Sequence, residues 1–159
     1  MKTCLICAAL LAHASHPGWA HQPTQTSEDT CNLVATYAEA SGLPVELAVG
    51  VAYHESKLRT HAKNPTSSAY GPMQILSGWC KHGDDGCRTV ESTMQASMVA
   101  LWWHMNRWFV RWDWRKTAHS YVGVVVAIDK DRAAHHAAKI YTTALWLESQ
   151  EQCQCSRGM

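Results

Sequence analysis

Glu46-Leu47-Ala48-Val49-Gly50-Val51-Ala52-Tyr53-His54-Glu55-Ser56 is the stretch on which the reading of this chain turns. Leu47, Ala48, Val51 and Ala52 recur at helical spacing, and little polar interrupts them before His54-Glu55. Pro44 stands just ahead, where a first-turn proline loses no hydrogen bond, so a buried helix is predicted from Pro44 to about Leu58. The end of that helix is where chemistry becomes possible. A carboxyl beside an apolar wall is harder to ionise, and an acid that keeps its proton near neutral pH can donate it. The plain alternative is a solvated helix-terminal glutamate. A zinc-protease reading of His54-Glu55 fails, because the second histidine it needs would fall at position 58, which is Leu58.

Working outward, the same periodicity predicts helices on both sides. One runs from Glu28 to about Ser41, capped by Ser27 and stopped by Gly42, with Leu33, Val34, Tyr37 and Ala38 as its apolar stripe. Residues 59–69 are polar, contain Asn64-Pro65 and read as a loop. A short helix is expected to begin within Tyr70 to Gly78. A long one follows from Glu91 to about Trp112, then one from Asp113 to Tyr121 and a last from Asp129 to about Glu148. Val122 to Ile128 is β-branched and reads either as a short strand or as a buried connection. The fold class is therefore all-α, or α with a minimal β element.

Composition sets the limits. A chain of 159 residues holds one ordinary domain. With 47% hydrophobic and 17% charged residues it does not have the composition of a disordered chain. A net charge of +1 lacks the basic excess of a general nucleic-acid binder.

Met1-Lys2 followed by the apolar run Thr3 to Ala14 reads as a secretory signal peptide spanning 1–20, with cleavage after Ala14 or Ala20. The run is too short to cross a bilayer, which needs about 20 apolar residues, so no stable membrane insertion is expected. Residues 21–27 form a polar leader, 28–150 the domain and 151–159 a cysteine-containing tail. Cleavage removes Lys2 and no acid, leaving a chain near neutrality, exported to the periplasm or the exterior.

An oxidising compartment favours disulfides over reactive thiols. Cys31, Cys80, Cys87, Cys153 and Cys155 survive cleavage. Cys80 and Cys87 bracket Lys81-His82-Gly83-Asp84-Asp85-Gly86, a turn-forming run whose ends can meet, so this pair is expected to bond. Cys31 is expected to bridge to Cys153 or Cys155, tying the two ends of the domain together, with one thiol left over. Cys153-Gln154-Cys155 has one intervening residue and lacks the usual Cys-x-x-Cys zinc spacing, so no metal and no cofactor are expected.

After Glu55-Ser56 the chain continues as Asn64-Pro65-Thr66-Ser67-Ser68-Ala69-Tyr70-Gly71-Pro72-Met73-Gln74-Ile75. An apolar helix ending in Glu-Ser, then a loop, then a small residue and Gly-x-Met-Gln closely resembles the catalytic region of the soluble lytic transglycosylases. Ala118-His119-Ser120-Tyr121-Val122-Gly123 resembles that family's third motif. The resemblance covers about residues 30–145. Pro72 stands where the family has Leu, and Val122 where it has Asn.

The resemblance implies a single domain of lysozyme-like, goose-type lysozyme-like fold and one catalytic acid, Glu55. It also implies a sugar groove to which Tyr70, Gly71, Met73, Gln74 and Tyr121 contribute. Gly71 would let the backbone approach a sugar ring. Gln74 would offer a donor and an acceptor, and Tyr121 would hydrogen-bond the acid. Ordinary core packing is the alternative for Met73 and Tyr121.

Two-carboxylate glycosidases need a second acid, and none lies in these motifs. The implied reaction on peptidoglycan therefore uses Glu55 twice. Glu55 first protonates the glycosidic oxygen between N-acetylmuramic acid and N-acetylglucosamine. It then takes the proton of the muramoyl C6 hydroxyl, whose attack leaves a 1,6-anhydro end. Two rivals stand beside this reading: a hydrolytic goose-type lysozyme, and a non-catalytic peptidoglycan-binding module of a secretion or conjugation apparatus. Trp102, Trp103, Trp108, Trp112 and Trp114 read either as sugar-stacking surface or as core. Arg107, Arg111 and Arg115 read either as a basic ridge or as a solvated helix face.

Overall fold

A computed structural model of the protein describes residues 2–14, 25–107, 110–122 and 129–155. Six α-helices and one 3-10 helix follow in order: α1 (Lys2–Ala14), α2 (Gln25–Ala40), α3 (Val45–Ser56), the 3-10 helix Ser77–His82, α4 (Val90–Asn106), α5 (Trp114–Val122) and α6 (Lys130–Cys155). Among the described residues there is no strand, only isolated bridges pairing Tyr70 with Lys63 and with Ile75. The class is all-α, as the periodicity predicts. Residues 123–128, the undecided strand or connection, lie outside the described part.

The apolar stretch becomes the central helix. Leu47, Ala48, Val49, Gly50, Val51, Ala52 and Tyr53 of α3 are all buried, so α3 hides its whole girth rather than one face. It packs against α6 on one side and α2 on another. The closest approach to α6 is at Gly50. A Cβ there would stand 3.2 Å from the Ile140 carbonyl oxygen and 3.7 Å from the Ala144 Cβ. A glycine facing an alanine lets two helix backbones come nearer than larger side chains would permit. Contacts step from Gly50 against Ile140 and Ala144 to Glu55 against His136, so the helices run antiparallel.

The chain reaches α3 through a tight stop. Leu43 N–H donates to the Ala38 carbonyl and Gly42 N–H to that of Glu39, with Gly42 at φ 66° and Leu43 buried beyond it. This Schellman closure satisfies the last carbonyls of α2 and turns the chain into Pro44.

Several boundaries differ from expectation. The short helix expected to begin within Tyr70 to Gly78 does so only at the far end of that stretch, at Ser77, and residues 70–75 form a turn instead. Tyr70 and Ile75 exchange both backbone hydrogen bonds, at 3.0 and 3.1 Å, around a turn in which Gly71 and Gln74 take positive φ. Pro72 occupies the second turn position, which its fixed φ suits, rather than a helical first turn. The 3-10 helix starts only at Ser77.

The long helix ends at Asn106 and not Trp112. Asn106 Nδ2 donates to the Trp102 carbonyl, Trp112 N–H returns to the Met105 carbonyl, and Arg111 and Trp112 adopt left-handed φ. Arg107, Arg111 and Arg115 therefore fall on a helix end, a turn and the next helix, and they form no single-helix ridge. α6 passes through the expected boundary at 150 to Cys155, because neither Pro nor Gly interrupts the sequence before Gly158.

Cys80 and Cys87 are bonded, as the turn between them suggests, with Cα atoms 5.1 Å apart. Cys31 is a correction. It bonds Cys7, not Cys153 or Cys155, because α1 lies against α2 with Ile6, Cys7 and Leu10 buried and brings the two Cα atoms to 5.7 Å. In the uncut chain the segment read as a signal peptide thus covers part of α2 and α6.

If the Gly50 crossing sets the helix spacing, Gly50→Val forces α3 away from α6. The expected cost is about 1–3 kcal/mol, read as a lower midpoint in thermal unfolding. A variant as stable as the parent would show that the crossing tolerates bulk.

Candidate active site

α3 ends where it must expose Glu55. Lys57 and Leu58 both adopt φ 58°, and Lys57 N–H returns to the Tyr53 carbonyl at 2.9 Å. Ser56 is buried and fastens this corner: its hydroxyl donates to the Ala52 carbonyl at 3.1 Å and accepts from Arg59 N–H at 3.1 Å. The Glu55 side chain is 20% exposed, reachable from solvent yet walled by protein.

Its direct partner comes from the start of α6. His136 Nε2 lies 3.0 Å from Glu55 Oε1. The pair sits in a crowd of basic groups. His54 Nε2 meets the Thr143 hydroxyl at 2.8 Å and its ring stands edge-on to that of His136, with centroids 6.2 Å apart. Burial first, then the charges of Lys57, His136 and Lys139, push the His54 imidazole down to about 3, so it is neutral at ordinary pH. Lys57 Nζ lies over the Tyr53 ring at 4.5 Å. Burial and then Lys139 lower the Lys57 ammonium, while Glu55 opposes them.

Across from Glu55, Tyr121 of α5 meets the turn after the loop. The sequence reading gave its hydroxyl to the acid. Instead the hydroxyl donates to the Met73 carbonyl at 2.9 Å, because that carbonyl, on the 71–74 turn, faces it. Glu55 is nonetheless close enough to act on it. Burial first, and the Glu55 negative charge second, hold the phenol well above its ordinary range, so Tyr121 stays a neutral donor.

The other expected groove residues are placed less directly. The Met73 side chain is fully buried in the core, and it is the backbone carbonyl that faces Tyr121. Gln74 Nε2 donates to the carbonyls of Ala62 at 3.0 Å and Gly71 at 2.9 Å, which commits both amide hydrogens and leaves Oε1 as acceptor only. Gly71, at φ 79°, is required by protein rather than sugar: a Cβ there would come within 2.6 Å of Thr93 Cγ2 on α4. Tyr70 is bridged on both sides, and its hydroxyl pairs with His61 Nδ1 at 2.9 Å.

Asp84 and Asp85, whose place the sequence left open, are tied to α4. Asp84 Oδ2 accepts from Gln95 at 2.8 Å, and Asp85 accepts from the Ser92 hydroxyl and from Arg88 N–H. Among the described residues no group of three or more His, Cys, Asp or Glu side chains could hold a metal ion.

A row of rings leads away from the acid. Tyr121 stands 5.3 Å from His104, His104 4.9 Å from Trp103 and Trp103 5.5 Å from Trp79, with His82 next at 5.7 Å from Trp79. The Arg107 guanidinium lies over Trp103 at 4.6 Å. Trp102, Trp103 and Trp112 are 50%, 42% and 47% exposed, so these three are surface rather than core. Trp114 packs against the core, and Trp108 lies outside the described residues.

His136 is the residue that motif reading missed. It sits 81 positions from Glu55, and its signal in the sequence is only the His135-His136 pair in the first turns of the last helix.

Two outcomes follow from this geometry. Gly71→Ala is expected to destabilise the protein by about 1–3 kcal/mol through left-handed strain and the clash with Thr93. Adding Thr93→Ser removes Cγ2 and recovers part of the loss in denaturant titration; no recovery would mean that the contact is not the cause. The second concerns acid. Burial and then Arg107 lower His104 to about 4, as His54 is lowered to about 3. Below about 6.5 the unfolded chain takes up protons that these rings refuse, so stability is complete above that pH and falls below it. The melting temperature should drop between pH 6.5 and 4, and His54→Gln with His104→Gln should flatten the slope.

Comparison with known protein families matches residues 32–143 to the transglycosylase SLT domain. Neither the curated proteins nor the solved structures give a significant match. The matched segment begins within α2, ends within α6 and encloses Glu55, the 71–74 turn, Tyr121 and His136. With its all-α lysozyme-like architecture, the chain belongs to the transglycosylase SLT family, proteins of lytic transglycosylase type that act on peptidoglycan.

Proposed function

We propose that this protein is an exported peptidoglycan lytic transglycosylase in which Glu55 is both acid and base. The observation that carries the reading is the setting of Glu55. It is a partly exposed carboxyl at the end of a fully buried helix, with a basic partner behind it and a neutral tyrosine before it.

The chemistry proceeds in two proton transfers. Glu55 as acid gives its proton to the glycosidic oxygen, and the C1–oxygen bond breaks as the leaving N-acetylglucosamine gains a hydroxyl. The muramic N-acetyl group can assist at the anomeric carbon. Glu55 as carboxylate then takes the C6 hydroxyl proton while C6 oxygen bonds C1, closing the 1,6-anhydro ring. No water is consumed, and the acid regains its proton. Asp84 and Asp85 are engaged by α4, which leaves the substrate's own groups to supply what a second carboxylate supplies elsewhere.

Trp103, at the exposed part of the row of rings, and its neighbour Trp102 offer apolar surface against which a sugar can pack, and Gln74 Oε1 offers an acceptor for an amide or hydroxyl. The Cys80–Cys87 disulfide, which lies within the mature chain, fits an oxidising compartment, where peptidoglycan also lies. Among the described residues no helix is long and apolar enough to cross a membrane. Cleavage after Ala14 or Ala20 would free Cys31 only where it precedes formation of the Cys7–Cys31 bridge; after the bridge has formed, α1 stays tethered to α2.

Digestion of purified peptidoglycan followed by mass spectrometry tests the reading. Anhydromuropeptides, one water lighter than hydrolysis products, are expected, and Glu55→Gln should lower their rate of release by about 100-fold or more. Products carrying the extra water would instead make the protein a hydrolytic, goose-type lysozyme. Binding without any cleavage that Glu55→Gln abolishes would make it a binding module.

A further inference from the structure

We propose that His136 is the positioning residue for Glu55 and the second holder of the proton that the site uses. The inference rests on the reading of Glu55 as acid and base, and adds a partner that the three sequence motifs do not contain.

Position comes first. Glu55 lies at the last turn of α3, just before two left-handed residues, where a side chain has little helix to brace it. The 3.0 Å contact to Nε2 fixes Oε1 against α6 and leaves the second carboxyl oxygen as the one free to meet substrate. The imidazole is itself placed by the backbone. Ala137 next to it is buried, and α6 is locked against α3 by the Gly50 crossing.

The proton argument follows from the same contact. A carboxyl alone keeps its proton only in acid, whereas an imidazole keeps one nearer neutrality. Two such groups sharing one hydrogen bond titrate as a pair, and the last proton is held to higher pH than the carboxyl would hold it alone. With one proton on the pair, the neutral acid forms when the imidazolium gives up its Nδ1 proton to solvent and the carboxyl oxygen that faces substrate takes one up, while Nε2–H stays on Oε1. Donation to the glycosidic oxygen then leaves carboxylate and neutral imidazole, which is a better base than a carboxylate facing a cation. Taking the C6 hydroxyl proton returns the pair to its starting count of one.

The charged and titratable groups that surround the pair come from three helices. His54 from α3 is neutral and Tyr121 from α5 is un-ionised, so neither supplies charge. Lys57 at the α3 end and Lys139 on α6 are the cations of this corner, and both act on His54. A purely structural His136 would serve equally well in one protonation state.

His136→Gln separates the two roles, since glutamine can keep a hydrogen bond but cannot hold a proton. Release of anhydromuropeptides is measured against pH for the parent, His136→Gln and Glu55→Gln. The expected result for His136→Gln is KM within about two-fold of the parent. The alkaline limb of kcat should move to lower pH by about one unit or more, so that the loss relative to the parent shrinks as the pH falls. An unmoved alkaline limb, or an equal loss at every pH, would overturn the proposal.

Imidazole NMR of His136 gives a readout independent of turnover. In Glu55→Gln the ring should release its proton at lower pH than in the parent, and identical titrations would sink the idea of a shared proton. Should Glu55→Gln retain full activity, the reading of Glu55 fails, while the NMR comparison still decides whether the two side chains share a proton.

Discussion

The close antiparallel crossing of α3 and α6 at Gly50 is the constraint on which the molecule depends. α3 is apolar around its girth, so it can be stable only when neighbours surround it. α6 is the longest of those neighbours, and it reaches the α3 backbone because Gly50 carries no side chain and Ala144 almost none. That contact sets the separation of the two helices. One turn further along α3, the same separation brings His54 to Thr143 and Glu55 to His136 at hydrogen-bond distance. Packing and chemistry are two consequences of a single interhelical distance.

A second constraint holds the opposite wall. The 71–74 turn is pinned from three directions: Gly71 against Thr93 of α4, Gln74 through its amide to Ala62 and Gly71, and the Met73 carbonyl by the Tyr121 hydroxyl of α5. The residues that resemble a sugar-binding motif are therefore largely occupied with building the turn. What they leave uncommitted is one amide oxygen, at the foot of the row of rings that starts at Tyr121. A motif can be functional because it shapes a wall, without every member touching what lies in the groove.

Much of this was legible beforehand, for physical reasons that differ from element to element. The α3 helix, the Gly42 stop and the Cys80–Cys87 staple follow from local patterns: spacing, backbone freedom and a turn whose ends must meet. Glu55 was legible because a carboxyl after an apolar run is unusual and the Gly-Pro-Met-Gln beyond it narrows its meaning. The helix expected to begin within Tyr70 to Gly78 starts late, at Ser77, because left-handed residues at 71 and 74 are not visible as helix breakers in composition alone. The bridge from Cys31 to the C-terminal cysteines failed because disulfide pairing depends on which helices become neighbours, and α1 became the neighbour of α2.

By itself the sequence determined the helical class, the central helix and the family, and it singled out the carboxyl proposed as the acid, since each is encoded in residues near one another in the chain. Only the tertiary structure decided what surrounds that acid. His136, His104 and the tryptophans come from helices distant in sequence. Their distances to Glu55 and Tyr121 are fixed by how α3, α4, α5 and α6 pack, which no local pattern records.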